Sequence, residues 1–127
     1  MFLNFSNHTS ANWSERQISE ALIYGKIRDY PFPAVPSEFN EEQIEELAEK
    51  CAADIVELQP DFVMCQGEFC LAFCVAKKLM AQGIRVGAAC SERITTENRD
   101  DTGQTEKTAV YRFVVCDKKA GVDRRGI

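Results

Sequence analysis

The sequence predicts an α/β fold: a three-layer Rossmann-like sheet, mostly parallel, with an antiparallel C-terminal edge hairpin. Three observations predict it. Strand-like and helix-like stretches follow one another in the order strand, helix, strand, helix, strand, helix, strand, strand, which is the order of a doubly wound sheet. Residues 62–65 form a short uninterrupted apolar run, Phe-Val-Met-Cys, as expected of a central strand covered on both faces. Asp100, Asp101, Thr102 and Gly103 then supply turn residues between the last two strand-like stretches. A chain of 127 residues is the size of one domain. It is expected to occupy residues 1–116, with the patternless stretch 117–127 as a disordered tail.

Each element has a local reason. Phe2, Leu3, Asn4 and Phe5 open the chain as a β-forming run, and the polar residues 6–10 break it. Ser14 and Gln17 form an S-x-x-Q capping box, Trp13 precedes it as a staple, and Ile18, Ala21 and Leu22 continue at helical spacing until Gly25. Residues 26–30 read as a weak second strand, ended by Pro31, Pro33 and Pro36. Asn40 caps a long helix in which Ile44, Leu47, Ala48, Cys51 and Ile55 recur on one face, and Glu41 and Glu42 sit at its positive end. After the run 62–65, Gly67 permits a tight turn into a helix over residues 69–81, which Gly83 closes. Residues 84–90 form a fourth strand that continues with alternating residues to 98, and 105–115 form a fifth, antiparallel to it.

Composition excludes several classes. A hydrophobic share of 45% with 28% charged residues is that of a globular chain and not a disordered one. The net charge of -5 repels polyanions, so long nucleic acid is an unfavourable partner, while a small anion held by local amides is not excluded. No apolar run reaches the roughly 20 residues of a bilayer span and no signal-peptide pattern opens the chain, so a cytoplasmic protein without membrane contact is expected. In that compartment the glycosylation-like triplets at Asn4, Asn7 and Asn12 are chance matches. Cys51, Cys65, Cys70, Cys74, Cys90 and Cys116 lie in apolar stretches without paired ligand spacing, and the chain has one histidine. They are expected to be reduced, metal-free packing residues.

Open parallel sheets bind ligands at the carboxyl ends of their strands. Three loops are selected. The first, residues 6–13, offers Ser6, Asn7, His8, Thr9 and Ser10 ahead of a helix N-terminus, which favours anions. The second offers Gln66, Gly67 and Glu68, and the third, after the fourth strand, offers Ser91, Glu92 and Arg93. Each has a plainer role beside the ligand-binding one. Asn7 and Ser10 also suit turns, His8 an exposed loop, Glu68 a first-turn acid, Gly67 a backbone requirement, and Arg93 a surface pair with Glu92 or Glu97.

The first turn has no glycine, so no dinucleotide fingerprint is present, and no phosphate-binding P-loop occurs either. The opening Phe2-Leu3-Asn4-Phe5-Ser6-Asn7-His8, the S-x-x-Q helix start, the Pro-rich second-strand region and the later hairpin resemble the small Rossmann-like proteins of type III CRISPR systems. These are related to CARF domains and include ring nucleases. The likeness spans most of the domain in layout, and residues 4–8 carry it at residue level. It implies a homodimer that binds a cyclic oligoadenylate messenger in antiviral defence and in some members cleaves it without metal or other cofactor. His8 would then be the acid or base and Arg93 a phosphate contact, with a 2′-hydroxyl as nucleophile. The stretch 65–69 matches no ring-nuclease motif. Two readings stand beside this one: a non-catalytic small-molecule sensor or interaction module of the same fold, and a nucleotide hydrolase using Glu68 and Glu92 as a carboxylate pair.

Overall fold

A computed structural model describes residues 1–99 and 105–115, with side chains placed for residues 1–90. The expected turn at residues 100–103, Cys116 and the stretch 117–127 lie outside the described residues. In chain order the elements are β1 (Phe2–Ser6), a 3₁₀ turn (Ser10–Asn12), α1 (Glu15–Leu22), β2 (Ile27–Pro31), α2 (Glu41–Leu58), β3 (Phe62–Cys65), α3 (Phe69–Ala81), β4 (Val86–Arg99) and β5 (Thr105–Val115).

The sheet order is β2-β1-β3-β4-β5. β1 pairs in parallel with β2 on one side and β3 on the other, and β3 pairs in parallel with β4. The α/β class is therefore as the sequence predicts, and the run 62–65 is indeed central. Period-two alternation divides the core. Leu3, Phe5, Val63 and Val86 face a cluster with Ala48, Ile55, Leu71, Val75 and Leu79 of α2 and α3. Phe2, Phe62 and Met64 face Trp13 and Ala21 on the α1 side. Every residue of β1 is buried, which its two paired neighbours and two covered faces require.

The caps follow local chemistry. Ser14 and Gln17 close a capping box on α1, and Asn40 and Gln43 close another on α2. Trp13 shares a cluster with Ile18, the hydrophobic staple the sequence suggests. Tyr30 donates its hydroxyl to Asp54 at 2.8 Å, tying β2 to α2. Burial, together with that carboxylate, pushes the Tyr30 hydroxyl well above its ordinary value. α2 ends at Gln59, whose φ of 53° is left-handed, just ahead of Pro60.

β4 runs well beyond its partner β3. Its ladder with β3 holds only Val86 and Gly87, and from there to Arg99 the strand continues, paired antiparallel with β5. Ser91, Glu92 and Arg93 are therefore strand residues in register with Tyr111, Val110 and Ala109, not a loop at the sheet edge. No helix among the described residues is long and apolar enough to cross a membrane.

Candidate functional site

Strand connections leave in opposite directions from β1 and β3. The chain passes from β1 through α1 to β2 on one flank, then crosses by α2 to β3 on the other. Such a reversal opens a crevice outside the carboxyl ends of the two strands. A cleft of about 450 Å³ lies there, lined by Ser6, Asn7 and His8 after β1 and by Met64, Gln66 and Gly67 on β3 and its loop. Asn12, Trp13 and Gln17 wall it from α1, and Ala89 of β4 completes it.

A buried polar network sets the first wall. Asn4 and Ser6 are the buried polar side chains of β1, and burying them is tolerable only with partners. Asn4 Nδ2 donates to the His8 carbonyl at 2.7 Å and to Asp29 Oδ1 at 2.9 Å, while its Oδ1 accepts from Ser6 Oγ at 2.6 Å. The His8 amide donates back to Ser6 Oγ at 3.2 Å. Asp29 on β2 gathers the rest of the loop: Thr9 Oγ1 donates to it at 3.0 Å, Ser10 Oγ at 3.1 Å and the Ser10 amide at 3.2 Å. Burial works to raise the Asp29 carboxyl, but hydrogen bonds from Asn4, Thr9 and Ser10 outweigh it and hold the group below its ordinary value.

Two glutamines on opposing walls share one arrangement. Gln66 Oε1 accepts from the Ala89 amide at 2.8 Å, bracing the β3 loop against β4. Gln17 Oε1 accepts from the Ser14 amide at 3.0 Å inside the capping box. A backbone N–H must meet an oxygen, so both side-chain orientations are fixed. Both NH₂ groups are left without an acceptor among the described residues. The cleft is thus supplied with hydrogen-bond donors, and none of its described lining residues is an aspartate or glutamate.

The expected site residues divide accordingly. Ser6, Asn7, His8, Gln66 and Gly67 are brought together, although the Ser6 hydroxyl is engaged in the network beneath the loop. The Thr9 and Ser10 hydroxyls both donate to Asp29, and neither residue lines the cleft. Glu68 does not face the cleft but caps α3, its Oε1 accepting from the Leu71 amide at 2.8 Å. The side chain of Glu92, the other half of the expected carboxylate pair, lies outside the described residues. Gly67 is needed for a reason other than turn geometry. It has no positive φ, and a Cβ there would stand 2.6 Å from the Phe32 ring. Arg93 follows Ala89 by four residues, about 13 Å along an extended strand, and its side chain, like that of Ser91, is outside the described set.

Sequence reading missed Asp29, Met64 and Ala89, selected the loop 6–13 without singling out Asn12 or Trp13, and took Gln17 for a helix-start residue only. One signal was available: aspartate is disfavoured within a strand unless something engages it, and Asp29 stands in the middle of β2. Among the cysteines, Cys51 is buried and burial pushes its thiol up, but Cys70 is exposed, contrary to a packing role. It lies about 100° around α3 from the buried Leu71, and the Glu68 carboxylate holds its thiol above the ordinary value. No disulfide joins the cysteines at 51, 65, 70, 74 and 90, and no group of three or more metal-ligating side chains is found among the described residues.

The fold and cleft define an α/β domain of the doubly wound class with a polar crevice at its switch point. The chain belongs to the family described as the Uncharacterized protein MJ1673 family, whose model matches residues 1–115. No curated protein and no solved structure matches it.

Proposed function

We propose that this protein binds a small nucleotide ligand of the cyclic oligoadenylate class in the cleft between β1 and β3, as a component of antiviral defence. The observation that carries the reading is the pair of glutamines lining a switch-point cleft, Gln17 and Gln66, each with its Oε1 held by a backbone amide so that its NH₂ remains as a donor. Phosphate oxygens and purine ring nitrogens are acceptors, and donors fixed in advance bind them without an ordering cost. Asn7 and Asn12 add further amides, and Trp13 an aromatic wall. The absence of carboxylates from the described lining offsets locally a net charge of -5.

Binding without turnover is the second reading, and one observation favours it. His8 is the one side chain with an ordinary acid or base function among the described lining residues, whereas full proton transfer to and from a ribose and its phosphate calls for two such groups. Metal-independent cleavage would then rest on alignment of a 2′-hydroxyl with His8 as a lone acid or base. Incubating the protein with labelled cyclic tetra- and hexa-adenylate in chelator separates the cases. Retention of intact ligand supports a sensor, linear products support a ring nuclease, and neither retention nor products sinks the proposal. If products form, His8→Ala should slow cleavage roughly a hundredfold while leaving affinity within about threefold.

A further inference from the structure

β4 carries a row of backbone groups that its own sheet leaves unpaired. In an antiparallel pair, residues that exchange both bonds with the residue opposite alternate with residues that turn their N–H and C=O away from it. Ala89 is of the second kind. It stands opposite Phe113 of β5, yet its amide donates to Gln66 Oε1 at 2.8 Å on the β3 side. The β4–β5 register runs unbroken from Gly87 to Thr95, so Ser91 and Arg93, two and four residues on, turn their backbone groups the same way. β3 pairs with β4 at Val86 and Gly87, and among the described residues no strand covers that edge beyond them. Gln66 fills the first place of the missing strand with a side chain. Ser91 is the next place, about 7 Å along the edge from Ala89, which with Gln66 lines the cleft.

We infer, resting on the nucleotide reading above, that this edge is the base-reading part of the site and that Ser91 selects adenine through its main chain. An outward-facing strand residue offers a donor and an acceptor side by side. Adenine presents the complementary pair, N7 as acceptor and the 6-amino group as donor. Guanine presents two acceptors, N7 and O6, and would set O6 against the Ser91 carbonyl. Gln17 and Gln66 do not draw this distinction, because their Oε1 atoms are engaged and the NH₂ groups that remain suit N7 of either purine. A flat base lying in the plane of the sheet takes the place that β3 leaves when it ends at Cys65.

Equilibrium binding of cyclic tetra-adenylate and of its all-inosine counterpart, in which a 6-oxo group replaces the 6-amino, tests the selection. The parent should prefer the adenylate by at least about tenfold. Ser91→Pro, which removes the outward N–H and no bond to β5, should weaken adenylate binding at least about tenfold, while Ser91→Ala stays within about threefold of the parent. Amide exchange followed by NMR gives a second readout on the unaltered chain. In the free protein the Ser91 and Arg93 amides should exchange fast while those of Glu92 and Ile94, bonded to β5, are protected, and adding ligand should slow Ser91. Equal affinity for the two rings, a Ser91 amide already protected without ligand, or ligand bound without slowing it would each overturn the inference and leave the cleft reading standing. A parent that binds neither ring removes both.

Discussion

Asp29 shows how one side chain organises a loop it does not belong to. It accepts from Asn4, Thr9 and Ser10, so the wall that presents Asn7 and His8 is held from β2. Its lowered pKa fixes the sign of a pH effect. A carboxylate favoured in the folded state stabilises fully above its unfolded value, near pH 3.9, and the contribution is lost as pH falls through the lower folded value. The stability deficit of Asp29→Asn, read by denaturant unfolding through Trp13, should therefore be constant from about pH 8 to 5 and shrink below about pH 4. A deficit that grows in acid would contradict this. Gln66 offers a sharper test of the cleft. In Gln66→Glu one oxygen still accepts from the Ala89 amide, but the NH₂ donor is replaced by a carboxylate oxygen. Stability should stay within about 1 kcal/mol of the parent while affinity for an anionic nucleotide falls at least about tenfold. Equal affinity in an equilibrium titration would remove Gln66 from the site.

At the scale of elements, what was legible in the sequence was whatever is decided within a few residues. The capping box at Ser14, the Asn40 cap, the apolar stripe of α2 and the run 62–65 are local patterns, and each became the expected element. Roles decided by a neighbour distant in the chain were not legible. Thr9 and Ser10 have donor chemistry that fits a ligand equally well, and only the parallel pairing of β1 with β2 brings Asp29 to them. Gly67 looks like a turn glycine until the Phe32 ring is seen against it. That contact predicts that Gly67→Ala destabilises by about 1–3 kcal/mol, because Phe32 is itself packed on Phe5 at 4.7 Å and has little room to move. The opposite sign is expected at the end of α2. Gln59 holds a left-handed φ of 53° at the helix C-cap, a conformation glycine adopts without steric cost. Gln59→Gly should raise stability by about 0.5–1 kcal/mol in denaturant melts, and a loss would show that the Gln59 side chain makes a compensating contact.

At the scale of the whole molecule the charge and the site pull in opposite directions. The chain carries 20 acids against 15 bases, and the α2 surface concentrates them in Glu41, Glu42, Glu45, Glu46 and Glu49. The cleft is different, with neutral donors on both walls and no described carboxylate. An anionic ligand bound as proposed would be repelled at long range and held at short range by dipoles. These act over different distances. Screening shortens the repulsion, with a Debye length of about 30 Å at 0.01 M falling to about 8 Å at 0.15 M, while amide donors in contact with the ligand are little affected. A basic nucleic-acid groove loses affinity steeply with salt because it releases counterions from the polyanion. Here the sign should reverse. Raising monovalent salt from about 0.01 to 0.15 M should leave nucleotide affinity unchanged or increase it, by up to about threefold, mainly through faster association. Isothermal titration at several salt concentrations, with stopped-flow association rates, measures this directly. Affinity that fell tenfold over the same range would mean that the phosphates are held by cations and not by the glutamine amides, and would move the binding surface away from the β1/β3 cleft.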